Sequence, residues 1–259
     1  MSDDHGRFIW YELITTDPKA AQDFYGAVVG WTFEDMPGGG GMTYTVASAD
    51  GNGVGGLMLI PPEAKAMGAP PHWSGYVCVD DCDAAADKIK GLGGAVIRAP
   101  DDIPGIGRFA VVADPHGAVF EIMKPAPMET QRPKPPQGTE GHTSWHELYA
   151  GDVDQALAFY SAMFGWRKDA VHDMGPMGPY VLFANQDGQI GGMMKKPDQI
   201  PRPGWLYYTQ VGDIDAAAER VKRAGGQVVN GPMEVPGGAW IVQGVDPQRA
   251  MFALVGRKG

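Results

Sequence analysis

The strongest constraint on this 259-residue chain is that it is written twice. Trp10-Tyr11-Glu12-Leu13 returns as Trp145-His146-Glu147-Leu148. Phe24-Tyr25-Gly26-Ala27-Val28-Val29-Gly30-Trp31 returns as Phe159-Tyr160-Ser161-Ala162-Met163-Phe164-Gly165-Trp166; both offsets are 135. Gly55-Gly56-Leu57-Met58 recurs as Gly191-Gly192-Met193-Met194, offset 136. Asp81 to Ala86 and Asp114-Pro115 recur as Asp213 to Ala218 and Asp246-Pro247, both at offset 132. Five motifs in the same order at a nearly constant spacing are a duplication. The joint lies at Lys124 to Gly138, KPAPMETQRPKPPQG. Proline fixes φ and removes amide donors, so this stretch reads as a semi-extended linker.

Each half divides again. Residues 8 to 15 are short, aromatic and branched, hence a strand. Asp17-Pro18 then reads as a cap and first helical position, and Ala21, Phe24, Tyr25 and Val28 form an apolar helical stripe that stops at Gly30. Strands follow near Thr32–Glu34, Thr43–Ala47 and Gly55–Ile60. The plan then repeats: a strand at Ser74–Val79, a helix capped by Asp81 and ended by Gly93-Gly94, and strands at Ala95–Arg98, Arg108–Ala113 and Val119–Met123. The last two flank a tight Asp114-Pro115-His116-Gly117 turn. The unit is therefore β-α-β-β-β, and the chain holds four, at 8–60, 73–123, 143–195 and 205–255. The expected class is α+β, with the tandem modules paired into two domains, 5–124 and 141–257, around a proline-rich linker at 125–140. Two such sheets facing each other make a half-barrel whose concave side is the natural ligand site. Which modules pair, the first with the second or with the fourth, stays open.

Composition narrows the functions. A formal charge of -10 without a run of Lys and Arg gives no duplex nucleic-acid binder and no support for an anionic membrane partner. No stretch approaches the ~20 apolar residues of a membrane helix. The opening MSDDHGRF lacks a basic region followed by an apolar one, so a cytoplasmic location is expected. The partner class is then a small molecule, for a chain that acts as a monomer or homodimer. Cys78 and Cys82, four apart, are not read as a disulfide framework.

Strand, Asp-capped helix, Phe-Tyr-x-x-x-x-Gly-Trp, and the closing Asp114-Pro115-x-Gly-x-x-x-Glu121 resemble the vicinal-oxygen-chelate superfamily, which groups glyoxalases, bleomycin-resistance proteins and dioxygenases. The resemblance spans about 95% of the chain and implies glyoxalase-like domains. It leaves the reaction open, because one fold hosts many chemistries. Metal-dependent members place four ligands at set strand positions. The first falls here on Trp10 and Trp145, the second on Ser74 and Leu206, the third around Gly56–Met58 and Gly192–Met194, and the last on Glu121 and Ala253. One of four is ligand-like in the first repeat and none in the second, whereas catalytic metals need about three. This departure from the family's ligand pattern leads to the expectation of no cofactor, with a displaced divalent-metal site of Glu12, His72 and Glu121 as the one route left in the first repeat. The matching set Glu147, Gly204 and Ala253 holds none.

The candidate residues follow. Glu12, Glu147 and Glu121 are carboxylates at cavity-facing strand positions, each either a base or ligand anchor with a raised pKa or a structural hydrogen-bond partner. Trp10 and Trp145 either stack on a planar ligand or fill the space a metal takes in relatives. Ser74 and Tyr76 offer hydroxyls on the opening strand of the second module, and Tyr208 on that of the fourth. Met58, Met193 and Met194 offer adaptable lining or plain core filling. Trp73, Trp205, the two Phe-Tyr pairs, Trp31 and Trp166 read as core. His116 reads as exposed, and Gly38 to Gly41 as a flexible hairpin without the Lys and Ser/Thr of a phosphate loop. The leading expectation is a metal-independent binder of a small apolar or aromatic molecule. The alternative is a lyase-, hydroxylase- or dioxygenase-like enzyme using Glu12 and Glu121 as base or displaced ligands. A protein whose clefts are closed by side chains is the third reading.

Overall fold

A computed structural model describes residues 2–38, 41–127 and 135–259. The central glycines of the Gly38–Gly41 run and residues 128–134 of the expected linker lie outside the described residues.

The first repeat runs β1 (Phe8–Thr15), α1 (Pro18–Val29), β2 (Thr32–Pro37), β3 (Thr43–Ala49), β4 (Asn52–Leu59), α2 (Pro62–Ala66), β5 (His72–Cys78), α3 (Cys82–Gly91), β6 (Ala95–Ile103), β7 (Gly107–Ala113) and β8 (Val119–Pro125). The second runs β9 (Thr143–Ala150), α4 (Val153–Phe164), β10 (Arg167–Asp173), β11 (Pro179–Asn185), β12 (Gly188–Lys195), β13 (Gly204–Asp213), α5 (Ile214–Arg223), β14 (Gln227–Glu234), β15 (Trp240–Val245) and β16 (Met251–Arg257). The four βαβββ modules are all present. The strand orders are β2-β3-β4-β1-β5-β8-β7-β6 and β10-β11-β12-β9-β13-β16-β15-β14. Each repeat thus forms one eight-stranded sheet instead of two separate ones. Strand edges carry unsatisfied amides and carbonyls, and a single ladder leaves fewer of them.

The caps follow the sequence. Asp17, Asp81, Asp152 and Asp213 each accept a hydrogen bond from an amide of the first helical turn. Gly30 and Gly165 close α1 and α4 in the left-handed conformation that glycine adopts without a steric penalty. Other details differ from expectation. The segment from Ile60 to Pro71, whose prolines read as a long loop joining two modules, carries the short α2, where Pro62 fits a first turn. α3 is capped by Leu92, with Gly93 only afterwards taking a positive φ. His116 is half-buried, its ring nitrogen 3.2 Å from Gln155 Oε1. As expected, Cys78 and Cys82 are not joined in a disulfide; both are buried.

The chain packs as two compact units, and each draws on both repeats. The mid-chain unit comprises Met1–Ile9, Gly75–Pro133 and Trp145–Trp205; the terminal unit comprises Trp10–Ser74, Lys134–Ser144 and Leu206–Gly259. The mid-chain core joins Val77, Ile89, Phe120 and Ile122 of the second module to Leu148, Tyr160, Trp166 and Phe183 of the third. The terminal core joins Leu13, Val28 and Leu57 of the first module to Val211, Ile214, Val221 and Val242 of the fourth.

A buried clasp holds each pair of modules. In the mid-chain unit Tyr160 Oη donates to Asp114 Oδ2 (3.3 Å) and accepts from Trp205 Nε1 (3.1 Å). Asp114 Oδ1 accepts the amides of His116 and Ala118, both at 2.9 Å. In the terminal unit Tyr25 Oη donates to Asp246 Oδ2 (3.1 Å) and accepts from Trp73 Nε1 (2.8 Å), while Asp246 Oδ1 holds the amides of Gln248 and Ala250. A buried carboxylate survives because both of its oxygens accept hydrogen bonds. Burial raises the Asp246 pKa against these hydrogen bonds, and burial foremost raises that of Tyr25. The repeated Phe-Tyr and Asp-Pro motifs are thus two halves of one device, each half supplied by a different repeat. Trp166 and Trp31 complete the symmetry: their indoles donate to the carbonyls of Gly6 (2.7 Å) and Gly141 (2.8 Å), residues 135 apart.

Candidate functional site

Strand alternation puts Trp10, Glu12 and Ile14 on one face of β1, opposite Leu13 in the core. Register pairs Glu12 with Gly56 on β4 and Gly56 with Val46 on β3. Tyr44, two residues before Val46, shares that face, and Trp10 Nε1 donates to its hydroxyl at 2.8 Å. The third module repeats the pattern and extends it. Glu147 pairs with Gly192. Trp145 Nε1 donates to Tyr180 Oη (2.9 Å), and Tyr180 Oη donates to Glu147 Oε2 (2.9 Å). Burial, reinforced by the Glu147 charge, holds the Tyr180 pKa well above that of a free phenol, so the hydroxyl keeps its proton.

The paired glycines now have a physical reason. A Cβ on Gly192 would overlap the Tyr180 ring, and a Cβ on Gly56 would overlap that of Tyr44. The strand position beside each glutamate is emptied so that a phenol from the neighbouring strand can lie across it. Tyr44 and Tyr180 are absent from the sequence reading. They are equivalent in the two repeats, at offset 136, but a tyrosine in a short strand reads as ordinary strand composition.

The second and fourth modules present a matching row. Tyr76 pairs with Glu121, Glu121 with Val111, and Val111 with Arg98. Tyr76 is buried 6.2 Å from the Phe109 ring, and the Arg98 guanidinium lies 4.8 Å above that ring. In the fourth module the row is Tyr208, Ala253, Gln243 and Asn230. Here Asn230 Nδ2 donates to Gln243 Oε1 (3.1 Å), and Gln243 Nε2 donates to Tyr208 Oη (2.6 Å). Position for position, Ala253 replaces Glu121, Gln243 replaces Val111 and Asn230 replaces Arg98, so the fourth module has an amide chain and no carboxylate in this row. Gln243 and Asn230 were invisible as site residues because no motif marks them.

The carboxylates are buried: Glu12 and Glu147 are 7% exposed and Glu121 2%. Ser74 Oγ is buried with no hydrogen-bond partner among the described residues. Met58 is half-buried on the Glu12 face. Met193 is corrected by the register: it pairs with Leu148 and is fully buried in the mid-chain core. Its neighbour Met194, buried, takes the Glu147 face, because the side-chain period of a strand is two.

The donors do not fit the metal that the resemblance implies. Trp10 and Trp145 spend their N–H groups on phenols, glycine occupies the third position, and no three His, Cys, Asp or Glu among the described residues gather to hold an ion. His72 Nδ1 is 2.8 Å from the Pro70 carbonyl, and burial lowers its pKa, so the displaced set of Glu12, His72 and Glu121 is not assembled.

Comparison with known proteins agrees with this architecture. The family model described as Glyoxalase/Bleomycin resistance protein/Dioxygenase superfamily matches residues 7–122 and again 141–253. CFP32 of Mycobacterium tuberculosis, which carries a provisional glyoxylase name, is 35% identical, covering 95% of this chain and 93% of its own. The anthracycline biosynthesis protein DauV of a Streptomyces species is 32% identical over 95% of this chain and 91% of its own. Among solved structures, the Mn(II)-bound glyoxalase of Novosphingobium aromaticivorans superposes with a TM-score of 0.63 at 18% identity, over 99% of this chain and 83% of that one. The chain belongs to the glyoxalase/bleomycin resistance protein/dioxygenase superfamily, with two copies of the family's domain in tandem.

Proposed function

We propose that this protein binds a small planar aromatic molecule bearing oxygen substituents, without a resident divalent metal. The supporting observation is the Trp145–Tyr180–Glu147 chain. Metal chemistry in the family needs imidazole or carboxylate donors, and the family's ligand positions in this repeat fall on Trp145, Leu206, the Gly192–Met194 stretch and Ala253, none of them such a donor. The indole N–H donates to the phenol oxygen, which aims the phenol proton at the carboxylate. A ligand oxygen entering this face competes for that proton, while the half-buried Trp145 and Tyr180 rings supply stacking area. The first repeat offers Trp10 and Tyr44 in the same relation. Within the mid-chain unit Tyr76 is proposed as further lining, with Glu121 and Glu147 as anchors for ligand donors; within the terminal unit Met58, Ser74 and Tyr208 are proposed as lining, with Glu12 as the anchor. DauV is named for anthracycline biosynthesis, and anthracyclines are planar polycyclic aromatics, which fits a stacking site. The proposed setting is the cytoplasm.

A second reading keeps the same residues and adds chemistry. Tyr180 and Glu147 are a hydrogen-bonded acid and base, so a lyase-like proton transfer is served by these two groups, whereas a hydroxylase-like reaction would need an added oxidant.

The test has two parts. The first is elemental analysis of protein purified without chelator, followed by calorimetric titration with Zn, Ni, Fe and Mn. Near one metal per chain, lost in Glu121→Gln, sinks the metal-free reading. The second is quenching of tryptophan fluorescence by a hydroxyanthraquinone. Saturable quenching that is weakened in Trp145→Phe supports the site; the same titration curve in that variant removes it.

A further inference from the structure

A groove of about 290 Å³ on the terminal unit is lined by Ala27 of α1 and by Arg220, Arg223 and Ala224 at the end of α5. It lies on the helices and involves none of the strand residues discussed above. Arg220 Nε donates to the Val28 carbonyl at 2.9 Å, which fixes its guanidinium plane and leaves the Nη groups for another acceptor. Arg223 follows three residues later, on the same helical face. Among the described residues neither arginine forms an ion pair, although the chain carries ten more acidic than basic side chains. Glu219, four residues before Arg223 and under its electrostatic influence, makes its ion pair with Lys222 at 2.7 Å.

The mid-chain unit shows which part of this arrangement is structural. Lys88, the counterpart of Arg220, donates to the Ala162 carbonyl at the end of α4, so a cation on that helix end is common to both units. The counterparts of Arg223 and Ala224 are Gly91 and Leu92. Exchanging Gly-Leu for Arg-Ala adds a second guanidinium and removes the bulky side chain that would cover it. Packing gives no reason for both changes together. The ends of α1 and α5 each bring about half a negative charge, against two full positive charges, so the groove stays net cationic.

We infer that this groove binds a small oxyanion, a phosphate or carboxylate, through the paired guanidiniums of Arg220 and Arg223. Arginine suits this role because its planar fork matches two oxygens at once.

The experiment is titration of the full chain with inorganic phosphate, and separately with succinate, at low ionic strength, following the arginine Nε–H resonances by NMR. The expected result is a saturable shift confined to Arg220 and Arg223, with apparent affinity at least about fivefold weaker in Arg223→Gly and in Ala224→Leu, a loss typical of one charge-assisted hydrogen bond. Arg220→Lys, which retains the carbonyl contact as Lys88 does, leaves the thermal midpoint unchanged and weakens binding. Response to phosphate alone assigns a phosphate-type ligand, and an equal response to succinate a carboxylate. Shifts spread over all arginines, shifts that persist in Arg223→Gly, or no saturation with either anion overturn the inference.

Discussion

In the mid-chain unit Phe8 lies flat on His146, ring centroids 4.0 Å apart, and packs edge-on against Trp205. In the terminal unit the equivalent pair is Thr143 and Tyr11, which share a hydrogen bond. There the small Thr143 leaves a cavity of about 20 Å³, bordered by Tyr11, Trp73, Thr143, Tyr207 and Thr209, with room for one water-sized body. The clasps, caps and core helices of the two units are the same, so the difference is local. One duplicated interior was closed with an aromatic stack, the other with hydroxyls around a void. The lesson is that the shared skeleton carries stability and the variable filling carries individuality, including sensitivity to acid.

The largest effect is expected where the units agree. Asp246→Ala removes the acceptor of Tyr25 and of two amides, one buried and one part-buried, and Asp114→Ala does the same for Tyr160 and its two amides. Each leaves buried donors unpaired, so each should cost about 3–5 kcal/mol in denaturant unfolding. Asp246→Asn keeps an acceptor for the amides and should cost clearly less. Equal costs for Ala and Asn would show that the clasp is not what holds the modules.

The next effect should separate the units. Burial lowers the His146 pKa to about 4, despite its hydrogen bond with the Ile190 carbonyl. The folded ring stays neutral while the unfolded chain takes up a proton below about pH 6.5. Stability from this site is therefore full above that pH, falls between about 6.5 and 4, and is level below. The total is on the order of 3 kcal/mol. His146→Gln should remove this component, seen as a flatter difference curve of unfolding free energy against pH. A wild-type slope retained in the variant would assign acid sensitivity elsewhere.

A smaller effect tests the phenol that lies over glycine. Gly192→Ala and Gly56→Ala should each cost about 2 kcal/mol through overpacking. Each should also shift tryptophan emission as the Trp145–Tyr180 or Trp10–Tyr44 hydrogen bond breaks. An unchanged spectrum in Gly192→Ala would mean that Tyr180 does not need that space.

The smallest effect comes from transplanting the stack. Tyr11→His with Thr143→Phe should bring the terminal unit to within about 1 kcal/mol of wild type, because matched pairs repack better than single changes. It should also give that unit an acid-sensitive histidine. If the double variant is less stable than both single ones, the two interiors are not interchangeable.

The sequence by itself determined the duplication, the four modules, the aspartate caps and the glycine stops, because these are local instructions: a period, a capping oxygen, a left-handed residue. It also identified the strand faces that carry Trp10, Glu12, Trp145 and Glu147, since alternation follows directly from the chain. Tertiary structure alone decided that the Phe-Tyr motif of one repeat meets the Asp-Pro motif of the other. It also decided that Tyr44 and Tyr180 swing over emptied glycine positions, and that Met193 belongs to the core while Met194 takes its place. The reason is physical. Hydrogen-bond partners 46 residues apart, like Tyr160 and Asp114, or 221 apart, like Tyr25 and Asp246, are chosen by packing of whole modules. No local propensity in either segment records which partner will be there.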